Sequence, residues 1–152
     1  MRRGGWEIAI AALLALSAAV DSANAQVLRA PGEVYDCLCK DQTVAALNDR
    51  VKAERRSYEE KRHAFETLDQ QVQIGRPKVD VNNPADVDAF KRLLEQRDAA
   101  ADELAGPVTE SYAAAVQRYN QAVSDYNAGC AGKAFDPDQL AAQKRNLSCP
   151  KP

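Results

Sequence analysis

The chain has 152 residues, a formal net charge of −2 and four cysteines, and 28% of its residues are charged. A charge balance this close to zero offers no broad basic surface, so it argues against a nucleic-acid partner. A chain of this length supports one domain, and an aromatic content of 6% limits the core that it can build. Covalent cross-links are therefore expected to contribute to stability.

Residues 1–25 have the pattern of a cleaved secretory signal. Arg2 and Arg3 provide the positive start, residues 8–20 form an apolar run, and Ala23-Asn24-Ala25 is a small-residue cleavage site. The apolar run is shorter than the roughly 20 residues that span a bilayer, which argues against a stable membrane anchor. The sequence therefore predicts a periplasmic or secreted protein that begins at Gln26.

Residues 43–74 carry an apolar stripe typical of a long amphipathic helix. Apolar residues alternate at spacings of three and four, with Glu54 and Lys61 filling two positions of the stripe. No glycine or proline interrupts the segment before Gly75. The stripe consists of Val44, Leu47, Val51, Tyr58, Phe65, Leu68 and Val72. Residues 26–42, which precede this stripe, are interpreted as an extended N-terminal arm.

A second helix is predicted after a short polar turn. Asn83 is placed as its N-cap and Pro84 as its first residue, while Gly106-Pro107 predicts a kink. Its stripe runs through Val87, Phe90, Leu94, Ala101, Leu104 and Val108, and resumes at Tyr112, Val116, Tyr119, Val123 and Tyr126. Two amphipathic helices joined by a short turn predict an antiparallel hairpin.

A short third helix is expected after Gly132, because Asp136-Pro137-Asp138 is a capped helix start. No strand pattern is evident after the signal. The predicted fold is all-α: a hairpin domain over residues 43–149, kinked near Gly106-Pro107, with a short C-terminal helix and a tail at residues 150–152. A three-helix monomer is favoured, and association of two hairpins into a homodimer stays open.

The cysteines predict two disulfides at the open end of the hairpin. In a short exported chain, four cysteines are most economically paired with one another; they are Cys37, Cys39, Cys130 and Cys149. A bond between Cys37 and Cys39 would close a strained ring, which favours links from the arm to both Cys130 and Cys149. The order of pairing stays open. A thiolate site for zinc or copper(I) is the alternative.

The reach of the chain supports this placement. With the turn centred near Val79, Thr43 faces Ala115, and an extended arm from Thr43 to Cys37 covers about 20 Å. The helix from Ala115 to Cys130 covers about 22 Å, so the two cysteines would meet.

The turn between the helices is rich in oxygen ligands that could hold a hard cation. The residues concerned are Asp80, Asn82, Asp86 and Asp88. The spacing does not fit an EF-hand, because Ala85 stands where glycine is needed and Lys91 where the bidentate glutamate belongs. Capping of the second helix explains Asp86 and Asp88 better, since acidic residues are favoured in a first helical turn.

Tyrosines recur every seven residues on the second helix, close to the cysteines. Tyr112, Tyr119 and Tyr126 would line one side, with Asn120 and Asn127 beside them. Packing along the seam is the structural interpretation of such a stripe. The functional interpretation is an aromatic surface for a protein partner, with the two amides as contacts.

Catalysis is not indicated. The one histidine, His63, lies off the seam and is expected to be exposed, and no nucleophile elbow, phosphate loop or zinc-hydrolase motif is present. The sequence predicts an exported, non-catalytic binding or scaffold protein, or a chaperone, that acts on a protein partner without a cofactor. Periplasmic metal binding through the four cysteines or the Asp80–Asp88 loop is one alternative, and inhibition of a secreted enzyme is another.

Overall fold

The computed structural model describes residues 26–151, so the predicted signal lies outside the described residues. Two long helices run antiparallel and a short helix follows them, which confirms the predicted stapled all-α hairpin. In chain order the elements are β1 (Val27–Leu28), α1 (Pro31–Gly75), a 3-10 turn (Arg76–Lys78), α2 (Pro84–Glu103), a π-helical segment (Leu104–Val108), α3 (Thr109–Gly129), β2 (Ala134–Phe135) and α4 (Pro137–Arg145).

The first helix begins twelve residues earlier than predicted, at Pro31. An extended arm over residues 26–42 is therefore wrong from Pro31 onward, and α1 is about 67 Å long at 1.5 Å per residue. Proline suits the first helical position, and Glu33 lies in the first turn, where the helix dipole favours an acid. The seam continues toward the N-terminus through Lys40 and Cys37. Neither residue is aliphatic, so the apolar stripe in the sequence does not include them.

The register of the hairpin follows from contacts spread along its length. Ser111 donates to Glu54 (Oγ to Oε2, 2.8 Å), Lys61 pairs with Glu103 (Nζ to Oε1, 2.8 Å), and Cys37 is bonded to Cys130. These pairs centre the turn near residue 82 rather than at Val79. Thr43 therefore faces a point on the opposite helix that lies about two helical turns beyond Ala115. The cysteines meet as predicted, but α1 reaches them as a helix and not as an extended arm.

The turn end of the hairpin is built as the sequence indicates. The helix α1 ends at Gly75, and the side chain of Asn83 caps α2 by accepting from the backbone N–H of Ala85 (3.1 Å). Asp80 accepts from the backbone N–H of Asn82 (2.9 Å), which tightens the loop. Val81, at the tip, is 79% exposed.

The predicted kink at Gly106-Pro107 corresponds to a π-helical segment, Leu104–Val108, and the helix continues beyond it as α3. Proline cannot donate a backbone hydrogen bond, and a widened turn accommodates its ring. The hydroxyl of Thr109 donates to the carbonyl of Leu104 (2.6 Å), which satisfies one carbonyl of this segment. The extra residue of the wide turn accounts for the shifted stripe beyond Val108.

The main core lies at the closed end, around the first disulfide. Leu28, Val34, Cys37 and Cys130 are buried there. Half-buried Leu38, Tyr126, Phe135 and Leu140 pack against this cluster. Residues from the N-terminal segment, both long helices and α4 therefore share one core.

Two short strands close this core, although no strand was predicted. Leu28 pairs with Phe135 and Val27 with Ala134 in a parallel bridge two residues long. The backbone of Asp136 donates to Leu28 (3.0 Å) before its side chain caps α4 through the N–H groups of Asp138 and Gln139. The bridge is too short for a period of two to be visible in the sequence.

Candidate interaction surface

The two disulfides leave α1 in different directions. Cys37 and Cys39 are two residues apart on a helix, so their side chains point about 200° apart. Cys37 is bonded to Cys130 of α3, and Cys39 to Cys149 beyond α4. The tail therefore returns along another side of α1, where Tyr35 Oη donates to the carbonyl of Ser148.

This pairing bears on the metal alternative. All four cysteines of the described chain are in disulfides, so the oxidised protein offers no thiolate there. The disulfides also indicate an oxidising, extracellular environment. At the turn, Asp80 accepts from the backbone of Asn82, and Asp86 lies in the first turn of α2. Within residues 26–151, no three histidine, cysteine or acidic side chains form a group that could hold a metal ion.

The structure separates the three tyrosines into different environments. Tyr126 packs against the disulfide core, so it has a structural role. Tyr112 stacks on Tyr58 of α1, with ring centroids 5.9 Å apart and planes inclined by 30°. Tyr119 is half-buried. Of the five residues predicted for partner binding, Tyr126 therefore belongs to the core, and partner binding by the other four stays a prediction.

Two of those five residues, Tyr112 and Asn120, border the same open, shallow concavity on α3. Val116, midway between them in the sequence, lines the concavity and is half-buried, and most of the other lining residues are exposed. Residues one and two turns apart on a helix share a face, which explains why these side chains line one surface. We call it the α3 surface, and its residues are Thr109, Tyr112, Ala113, Val116, Gln117, Asn120 and Gln121. Asn127 lies two helical turns beyond Asn120, in line with this face, and is exposed.

The α3 surface has no charged member. The charged residues of α3 are Glu110, Arg118 and Asp125, with long uncharged stretches between them. Charged side chains occur in every turn of α2 and throughout the exposed positions of α1. An uncharged helical face in a chain this rich in charge is the signal that would have identified Ala113, Val116 and Gln117 from the sequence.

An ion pair lies beside this surface. Arg55 donates to Glu59 (Nε to Oε1, 2.8 Å) on the α1 side. The hydrogen bond and the charge of Glu59 raise the pKa of Arg55 above its ordinary value, and Tyr112 adds to the shift in the same direction. Since an arginine side chain is protonated at any physiological pH, Arg55 keeps its charge.

The seam residues that interrupt the apolar stripe are paired across and along the helices. Glu54, whose side chain is 17% exposed, binds Arg50 (2.7 Å) and accepts from Ser111. Lys61 pairs with Glu103. Arg97 of α2 contacts its neighbour Asp98 (3.2 Å). A polar middle of the hairpin therefore comes from Glu54 and Lys61, with partners that periodicity did not identify.

His63 is exposed, as predicted, in a shallow depression formed with Arg56, Glu59 and Glu60. Within the described residues no helix is both long and apolar enough to cross a membrane. No protein-family model, curated protein sequence or solved structure matches the chain.

Proposed function

We propose that the protein is an exported, non-catalytic binding or scaffold protein that contacts another protein through the α3 surface. The observation that carries the proposal is the concavity around Val116, which is bordered by Tyr112 and Asn120 and has no charged member. Protein interfaces favour aromatic and uncharged side chains in their centres, because desolvating an unpaired charge is costly.

The shape of the molecule supports a scaffold. A helical hairpin about 67 Å long, closed at one end by two disulfides, holds α3 in place without a large core. Such a frame presents a preformed surface and reduces the entropy lost on binding.

Site-specific photo-crosslinking tests this function. A benzophenone amino acid is placed at Asn120 in the full chain and irradiated in intact cells, with Gln70, exposed on α1, as the matched control. A protein adduct at Asn120 that is absent at Gln70 is the expected result. Equal or absent labelling at the two positions would contradict the proposal.

We further propose export to the periplasm or the cell exterior with removal of residues 1–25. The motivating pattern is the basic start, apolar run and Ala23-Asn24-Ala25 site. Intact-mass analysis of the exported protein should give a chain beginning at Gln26 with two disulfides. A chain that retains Met1 in a reducing compartment would refute this part.

A further inference from the structure

We infer that the occupant of the α3 surface is the α3 surface of a second copy of this chain, packed antiparallel about a two-fold axis near Val116. This inference rests on the proposed function, since it uses the same surface, and it names the partner.

Charge is the first argument. The residues that line the α3 surface are uncharged, and the neighbouring Arg55 and Glu59 are already paired with each other, so a partner that brings a lysine or a carboxylate against the lining must desolvate that group without a free counter-charge. The exposed faces of α1 and α2 are poor matches for this reason, because charges recur along them. A second α3 surface presents only hydroxyl, amide, aromatic and small apolar side chains.

Symmetry is the second argument. An isologous contact requires a surface that is complementary to itself when rotated by 180°. Tyr112 and Asn120 border the concavity four residues before and four residues after Val116, so an axis at Val116 places this residue against Val116 of the second copy. In that register Tyr112 lies opposite Asn120 of the second copy, and the phenol can donate to the amide oxygen. The reciprocal pair forms on the other side of the axis.

The small number of buried side chains along the hairpin is the third argument. Between the closed-end core and Val72, Ala115 is the one side chain of the described hairpin that is buried. Antiparallel pairing of two hairpins makes a four-helix arrangement, which covers Val116 and the edge of the Tyr112–Tyr58 stack.

The size of the contact sets its strength. A stretch from Thr109 to Asn127 is about 27 Å long, and with a helix width of about 10 Å it covers about 300 Å² on each copy. Stable complexes bury roughly 800 Å² per partner, so the dimer should be weak, with monomer and dimer exchanging as concentration changes.

The decisive experiment is a charge-swap test at Gln117, which is exposed and adjacent to the proposed axis. The wild-type mature protein is examined by analytical ultracentrifugation from about 1 µM to about 500 µM. Its weight-average mass should rise toward twice that of the monomer. Gln117→Glu and Gln117→Lys alone should each weaken association at least about tenfold, because two like charges meet at the axis.

An equimolar mixture of the two Gln117 variants should associate again, as a heterodimer. Gln70→Glu and Gln70→Lys, which place the same charges on α1, should associate like the wild type. Any one of three results would overturn the inference. The wild type is monomeric at every concentration, substitution of Gln117 leaves the association unchanged, or the mixture of the two Gln117 variants does not associate.

The two proposals fail in different ways. If crosslinking at Asn120 captures a different protein while the purified chain stays monomeric, the second copy is excluded and the binding function stands. If there is neither an adduct at Asn120 nor self-association, both are wrong.

Discussion

The closed end of the hairpin and its long middle are stabilised in opposite ways. At the closed end, Val34 is 0% exposed and Cys37 and Cys130 are nearly so, and four segments of the chain meet around a disulfide. Along the middle, Ala115 is buried but the residues of the apolar stripe are half-buried, and Glu54 and Lys61 replace apolar contacts with ion pairs. The comparison shows how a chain with a small core can stabilise a long pair of helices. The disulfides fix the two helices at one end, and this fixes the register in which they pack along the rest of their length.

The largest expected effect comes from removing the first disulfide. Cys37→Ser with Cys130→Ser opens the ring of about 20 residues that the two disulfides close together, which costs about 3 kcal/mol, and it also places two polar groups in the core. The free energy of unfolding should therefore fall by about 4–5 kcal/mol. Urea denaturation of this variant measures the loss.

Cys39→Ser with Cys149→Ser is the matched comparison. The second bond closes the same ring, but Cys39 and Cys149 are half-buried and leave no polar group in the core, so a loss of about 3 kcal/mol is expected. If both double variants lose the same stability, the closed end is not organised around Cys37 and Cys130.

The next largest difference between the closed end and the middle is expected from truncating a valine in each region. Val34→Ala removes two methyl groups from the core and leaves a cavity, so we expect a loss of about 2 kcal/mol. Val51→Ala makes the same chemical change on the half-buried seam and should cost less than about 1 kcal/mol. Similar losses, measured by urea denaturation, would show that the middle is packed as tightly as the end.

Two glycines give a smaller contrast. Gly132 has a φ of 72°, a left-handed conformation that reverses the chain after α3. Gly132→Ala should therefore cost about 1 kcal/mol, by thermal or urea unfolding. Gly106, in the π-helical segment, has open space around it, and Gly106→Ala should be neutral or stabilise by up to about 1 kcal/mol. A loss at Gly106 equal to that at Gly132 would mean that the π-helical segment requires glycine.

The smallest effect is expected at the ion pair between Lys61 and Glu103, whose side chains are 45% and 46% exposed. Lys61→Gln should lower stability by less than about 1 kcal/mol, and by less still in high salt, because water and ions screen the pair. Denaturation at low and high salt measures this difference. A loss of several kcal/mol in the free energy of unfolding would contradict this expectation and show that the ion pair contributes strongly to the stability of the hairpin.

Much of the fold could be predicted from local signals. Gly75 ends α1 and Asn83-Pro84 starts α2 because both use backbone chemistry that a few neighbouring residues decide. Asp136 before Pro137 predicted α4 in the same way. The joining of α1 to both Cys130 and Cys149 was also predicted, although Cys37 reaches its partner as part of a helix.

Other features depend on contacts between distant residues, and these were missed. Lys40 and Cys37 concealed the first turns of α1, since only the folded hairpin shows that they occupy seam positions. The β1–β2 bridge is two residues long and carries no pattern of its own. At the candidate site, heptad spacing grouped Tyr112 with Tyr126, but Tyr126 packs in the core. Val116 was identified only as a member of the apolar stripe, and Gln117 belongs to no motif.

The order of the disulfides along the chain affects proteolysis. Since Cys37 and Cys39 both precede Cys130, and Cys149 follows it, the two bonds interleave. A protease that cleaves the exposed tip at Val81 produces two fragments that remain joined by both bonds. Cleavage between Cys130 and Cys149 still leaves the Cys39–Cys149 bond. On a non-reducing gel the cleaved protein would migrate as one species, and its fragments would separate only after the disulfides are reduced.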